Sequence, residues 1–185
     1  DRLASQGIRF TDYYSPSPVC SPSRVGLLTG RTPNRAGIYD WIPSGTQFHL
    51  EEKEFTIPKM LKRVGYATCM SGKWHCNGKF NKKSQPQPGD FGFDHWFATQ
   101  NNAAPSHRNP KNFVRNGEGV GELEGFSCRI VAEEANRWIE NQVIENPDQP
   151  FFAFIAFHEP HEPISSPKSM ISNYPNAQKK GEALY

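Results

Sequence analysis

Apolar positions along the chain fall into a few short segments divided by long polar stretches. In "FTIPKMLKRVG", Ile57, Met60, Leu61 and Val64 recur at helical spacing, which predicts a helix with one apolar face. Thr56 is placed to cap it, Pro58 suits its first turn, and Gly65 ends it. "YATCMS" follows as a strand and runs into Gly72-Lys73-Trp74-His75. A longer helix is predicted from Ser127 to about Asn146, with Cys128, Val131, Ala135, Trp138 and Ile139 as its buried stripe. The run "PFFAFIAF" then reads as a strand buried on both faces, and it stops at "HEPHEP". At the other end, "DRLASQGIRFTDYY" reads as a short helix stopped by Gly7, then a strand carrying Phe10, Tyr13 and Tyr14. Beyond the proline-bounded "SPSPV", a helix is predicted over Ser21 to Thr29, with Pro22 in its first turn and Gly30 just past its end. Residues 77 to 125 read as a loop-rich excursion whose best packed piece is "GFDHWF". Strands alternating with helices predict an α/β fold, a mostly parallel sheet sandwiched by helices.

Composition narrows this picture. A chain of 185 residues can build one domain with a real core. Sixteen prolines and fifteen glycines fit short elements joined by many loops. A net charge of +2 gives no case for nucleic acid as a partner. The sequence has no apolar run long enough for a membrane span. Its opening segment lacks the apolar stretch of a secretory signal. None of the four cysteines lies in a CxxC pair, which argues against a zinc ribbon. Cys69 reads as a small buried hydrophobe, and a disulfide stays open.

The polar residues converge. Two predicted strands each run into a histidine loop, one at His75 and one at His158 and His161. In α/β sheets, ligands bind beyond the carboxyl ends of the strands, so both loops belong on one edge. The helix near Ser21 adds its positive N-terminal end. Arg24, in its first turn, opposes that dipole unless an anion sits beside it, and Lys73 adds a further cation. The sum is an anion pocket with histidines for proton transfer. Taken singly, each signal is weaker. A first-turn arginine is more often solvated, and Gly72-Lys73 is a faint echo of a phosphate loop. Pro160 prevents His158 and His161 from forming a helical zinc pair. His49 and His95 read as surface or satisfied loop histidines.

Three stretches together resemble one family. "CSPSRVGLLTGR" at 20–31 is similar to the first signature of the type I sulfatases of the alkaline phosphatase superfamily, "GYATCMSGKWH" at 65–75 resembles their second, and "PFFAFIAFHEPHEP" resembles the strand that leads to a catalytic histidine. "DRLASQGIRFTDYY" also resembles the segment preceding the signature cysteine. The resemblance implies that Cys20 is oxidised to Cα-formylglycine by the formylglycine-generating enzyme. Its hydrated aldehyde would be the nucleophile, bound to a divalent cation, usually calcium, with Cys20 as a metal ligand. Arg24 would hold the hydrate and Lys73 would bridge it to the sulfate. His75 would act as base in the elimination, His161 would protonate the leaving alkoxide, and His158 would contact substrate beyond the sulfate.

The implied reaction is hydrolysis of a sulfuric ester on a sulfated sugar or polysaccharide. The amide-rich loop "WFATQNNAAPSHRNP" offers Asn101 and His107 as sugar contacts, and its wording looks most like bacterial polysaccharide sulfatases. The family's other metal residues, an aspartate pair and an Asp-Asn pair, lie outside the matched segments. Residues 1–185 therefore read as an internal part of a sulfatase catalytic domain, with little activity and poor calcium binding alone. The family implies a periplasmic or secreted location. A phosphonate or phosphodiester hydrolase of the same superfamily, or an inactive sulfated-glycan-binding protein, is the alternative.

Overall fold

The computed structural model describes residues 2–173. Its centre is β1 (Ala67–Lys73), buried at every position. A strand of small residues (Ala, Thr, Cys, Ser, Gly) lets neighbours approach closely on both faces. β2 (His95–Thr99) and β5 (Phe151–Ala156) pair with β1 in parallel, one on each side. β3 (Val114–Arg115) and β4 (Glu118–Gly119) extend the sheet antiparallel beyond β2, giving the order β4-β3-β2-β1-β5. The sheet is thus a parallel centre with an antiparallel margin.

Side chains alternate across β1 as the pleat requires. Ser71 faces α4 (Ser127–Glu145) and donates its hydroxyl to the Val131 carbonyl at 2.8 Å. Met70 faces the opposite side and joins the larger core with Trp74, Trp96 and Phe91. Val25 and Leu28 of α2 (Cys20–Thr29) complete that core. A smaller cluster of Phe97, Phe113 and Val131 fills the α4 side. Layers therefore cover both faces of β1. Thr56 caps α3 (Ile57–Lys62), its oxygen 3.5 Å from the Lys59 amide, and its hydroxyl also donates to the Phe91 carbonyl at 2.6 Å.

Gly72 decides how β1 meets β5. Its φ is +115°, and a Cβ there would stand 2.0 Å from the Ala156 carbonyl oxygen. Only glycine permits this approach, which brings the ends of the two strands together just before Lys73.

Several expectations are corrected. Residues 8–14, after the short α1 (Arg2–Ser5), form no strand, and Phe10, Tyr13 and Tyr14 are 69%, 75% and 80% exposed. α3 is shorter than its pattern and leaves Met60 and Val64 exposed, with Pro58 its one buried residue. Cys128 is exposed on α4, and the buried stripe carries Glu134 instead. Burial works against the Glu134 carboxylate, but hydrogen bonds from Arg115 and His95 outweigh it and hold its pKa well below the usual range. Arg137 completes this buried ionic cluster, so His95 is a satisfied histidine. β5 is not buried on both faces. It pairs along one edge with β1 among the described residues, and Phe151 and Ile155 stay exposed. All four cysteines are free, and burial pushes the Cys69 thiol up to about 12. A last short helix, α5, spans Lys168–Ile171.

Gly72→Ala is expected to cost at least about 2 kcal/mol, because a positive φ and a backbone overlap coincide. Urea unfolding of the full-length gene product checks this, and wild-type stability would contradict the close approach.

Candidate active site

Cys20 is the first residue of α2, where the preceding Val19 is extended and its carbonyl takes the Ser23 amide at 3.1 Å. Two contacts fix this helix end. The Ser21 hydroxyl accepts the Ile42 amide at 3.0 Å. Gly26 lets Pro16 lie against the helix, since a Cβ there would meet the proline ring at 2.6 Å. One turn on from Cys20, the Arg24 guanidinium donates to the Lys73 carbonyl at 2.6 Å and ties α2 to the end of β1. Burial lowers the Arg24 pKa from its ordinary value.

Lys73 ends β1 and is only 2% exposed. Its ammonium donates to the Asn102 carboxamide oxygen at 3.1 Å. Burial lowers its pKa to about 8, with the neighbouring Cys20 thiol opposing the fall and Arg24 adding to it. Cys20, Arg24, Lys73, His158 and His161 line one open cavity of about 620 Å³ with no carboxylate in its wall among the described residues. A buried lysine, a part-buried arginine and a helix N-terminus make it an anion site.

The histidines separate by environment. His75 is fully buried, adopts φ +56°, and donates Nε2–H to the Ile42 carbonyl at 3.0 Å. This leaves Nδ1 as a bare acceptor with no partner among the described residues. Burial, then the nearby Lys73, hold its pKa at about 3. His75 lies behind Lys73 and does not line the cavity. His158 does line it, yet it is almost sealed. Its Nε2 pairs with the Thr99 hydroxyl at 2.7 Å, and Thr99 in turn donates to the Asn101 carbonyl at 2.6 Å. Burial, then His107, lower the His158 pKa to about 3. His161 has Nδ1 2.8 Å from the Glu162 carbonyl and 2.9 Å from the Asn102 amide nitrogen. With Nδ1 engaged, Nε2 is the nitrogen left for proton transfer.

Two expected sugar contacts move. His107 is fully buried, so a sugar cannot reach it. Its Nε2–H donates to the His161 carbonyl at 2.8 Å, and its Nδ1 meets the Ser127 hydroxyl at 3.1 Å. Ser127 donates to Glu159 at 2.5 Å, and Glu159 also takes the Cys128 amide at 3.0 Å. His107 therefore carries the backbone of the His161 loop. Asn101 lines a different, neighbouring cavity. Its neighbour Asn102 instead reaches both Lys73 and His161. The Asn-Asn pair follows the carboxyl end of β2, where ligands are expected, but the sequence held nothing to choose between the two.

A calcium ion takes six to eight oxygen ligands. No group of three or more His, Cys, Asp or Glu side chains among the described residues could hold a metal. Cys20 has cations, not carboxylates, as neighbours among the described residues, so these residues by themselves do not form a calcium site.

A sulfatase family model matches residues 1–183. The chain belongs to the sulfatase family. It is 32% identical over 193 residues to an ulvan-active sulfatase of Formosa agariphila, covering 99% of this chain and 36% of that protein. It is 30% identical over 194 residues to the N-acetylgalactosamine-6-sulfatase of Homo sapiens, covering 92% and 36%. Among solved structures, Ps i-CgsB in complex with k-i-k-neocarrahexaose superposes with a TM-score of 0.80 at 26% identity, over 93% of this chain and 41% of that one. A protein bound to its substrate D-glucosamine-2-N,6-O-disulfate gives 0.73 at 26% identity, over 95% and 32%. This sulfatase chain thus spans well under half the length of these relatives, and its α/β fold is theirs.

Both low-pKa histidines bear on stability. Between pH 6.5 and about 3 the unfolded chain takes up protons that native His75 and His158 refuse. Their contribution is complete above pH 6.5 and is lost as pH falls through that window, by up to about 1.4 kcal/mol per pH unit for each histidine. Urea midpoints of the full-length product at neutral and mildly acidic pH measure this, and a reduced slope is expected in His158→Asn.

Proposed function

We propose that this chain carries the nucleophile of a sulfuric ester hydrolase acting on a sulfated carbohydrate. The observation that carries this reading is Cys20 at a helix start, sharing with Arg24 and Lys73 a cavity that no carboxylate among the described residues lines. Relatives named for ulvan and N-acetylgalactosamine 6-sulfate, and neighbours bound to sulfated sugars, support the substrate class. The family resemblance supports conversion of Cys20 to formylglycine by its generating enzyme, and calcium as the cation held with residues outside the described set. It also supports a periplasmic or secreted parent enzyme, of which residues 1–185 are part of the catalytic domain.

In this reading the hydrated aldehyde supplies two hydroxyls, one to bond sulfur and one to reform the aldehyde as sulfate leaves. Arg24 and Lys73 hold the sulfate oxygens and offset the charge that builds on them. Lys73, with a pKa near 8, stays mainly cationic at neutral pH while holding its proton loosely. His161 delivers a proton from Nε2 to the sugar oxygen as the S–O bond breaks. The family resemblance gives His75 the part of base as the aldehyde reforms. Its Nδ1 has no partner among the described residues and is the nitrogen that would take the proton, once the bound sulfate offsets the Lys73 charge that, after burial, holds its pKa at about 3. Asn102 spaces Lys73 from His161 and keeps the acid beside the leaving oxygen. His158 closes the wall.

Two measurements test this. The tryptic peptide spanning residues 10–24, from the full-length product in its native host, is expected to carry an aldehyde at Cys20; an unmodified thiol would remove the nucleophile and favour glycan binding without hydrolysis. His161→Ala is expected to lower sugar-sulfate turnover by about 10²- to 10⁴-fold. Undiminished turnover would end its role as acid, and faster cleavage of a phosphodiester than of any sulfate ester would favour the phosphodiesterase alternative.

A further inference from the structure

Next to the Cys20 cavity lies a larger one of about 780 Å³, walled in part by Trp41, Lys79, Lys82, Gln100 and Asn101. The chemistry above uses none of these five residues. The two cavities are neighbours across a single side chain. Asn102 lines the larger one, while its carboxamide reaches Lys73 and His161 in the smaller. A sugar whose sulfate ester sits between Cys20 and Lys73 has this second cavity as an adjoining space.

Its chemistry is one-sided. No Asp or Glu lines it among the described residues. Neither Lys79 nor Lys82 has an ion pair among the described residues. The loop that carries them is nonetheless held in place. Gln85 accepts the Lys79 amide at 2.6 Å, and the Gln87 amide donates to the Lys79 and Lys82 carbonyls at 3.1 and 3.0 Å. The opposite wall is equally fixed, since Gln100 donates to the Ile42 and Asn77 carbonyls at 3.1 and 2.8 Å. Trp41 is 48% exposed there, a flat apolar face beside unpaired ammonium groups. An aromatic platform with prearranged cations suits a ligand that is part ring and part anion.

We infer that the larger cavity is a second glycan subsite. It takes the sugar next to the one bearing the scissile sulfate, with Lys79 and Lys82 holding an acidic group on that sugar and Trp41 offering it a ring face. This rests on the reading that the Cys20 cavity receives a sulfate ester. The ligand class is a glycan with acidic groups on successive residues, sulfate or carboxylate.

The test is calorimetric titration of the full-length product with heparin-, chondroitin sulfate- and carrageenan-derived tetrasaccharides, each compared with its own monosulfated monosaccharide. At least one tetrasaccharide is expected to bind about tenfold tighter or better than its monosaccharide, and Lys79→Ala/Lys82→Ala to remove most of that advantage while leaving monosaccharide affinity unchanged. Trp41→Ala is expected to weaken the same tetrasaccharide without altering its salt dependence. An advantage that survives the double lysine substitution, or no advantage for any tetrasaccharide, overturns the subsite. Failure of every monosaccharide sulfate to bind, alongside turnover of a phosphodiester, would instead overturn the sulfate-ester reading.

Discussion

Two cations, the part-buried Arg24 and the buried Lys73, stand together at the end of β1 with no carboxylate among the described residues that line the cavity they share, and the rest of the site is built around that constraint. An unpaired buried charge is costly, so each must be served by dipoles. Arg24 takes the Lys73 carbonyl, and Lys73 takes the Asn102 carboxamide. Neither partner neutralises charge. The positive field therefore remains available to an incoming anion, already oriented before it arrives, which is the arrangement that favours stabilising charge as it develops. The same field, added to burial, keeps His75 and His158 neutral. Neutral rings leave the positive charge of the site on Arg24 and Lys73, so one electrostatic choice sets both the anion affinity and the protonation states around it.

The backbone that permits this is as specific as the charges. Gly72 lets β1 and β5 close to a distance that no side chain allows. Their ends then deliver Lys73 from one strand and, two residues past the other, His158 to a common edge. On the far side, Gly26 admits Pro16 against α2 and holds the segment leading to Cys20. Strand ends and a helix start meet in one place because two glycines remove the atoms that would keep them apart.

Much of this was legible in the sequence. The sheet strands β1 and β5, the helices α2 and α4, and the meeting of Cys20, Arg24, Lys73 and His161 all follow from periodicity, caps and the rule that ligands gather at strand ends. What was not legible has physical causes. The apolar pattern of α3 is real, yet nothing among the described residues covers Met60 and Val64. Residues 8–14 carry aromatic side chains of the kind strands favour, but no partner strand pairs with them among the described residues. "FFAFIAF" is apolar enough for a central strand, while its hydrogen bonds run to β1 alone among the described residues. Glu134 entered a stripe expected to be apolar because three basic side chains, 19 to 39 residues away in one direction and 3 in the other, converge on it. Pairings across such distances leave no local trace.

His107 makes the same point about function. As a residue type in an amide-rich loop it resembles a ligand contact. In the fold it is a strut, buried between the start of α4 and the carbonyl of His161. A loop of two prolines among histidines and glutamates, "HEPHEP", has few backbone donors of its own with which to hold a shape. It borrows them: His107 supplies an N–H to His161, Asn102 supplies another to Glu162, and Ser127 and Cys128 hold Glu159. The position of His161 is thus set by groups on β2's following loop and on α4, not by its own segment. That division of labour explains why two adjacent asparagines and a buried histidine, indistinguishable by composition, come to do three different things.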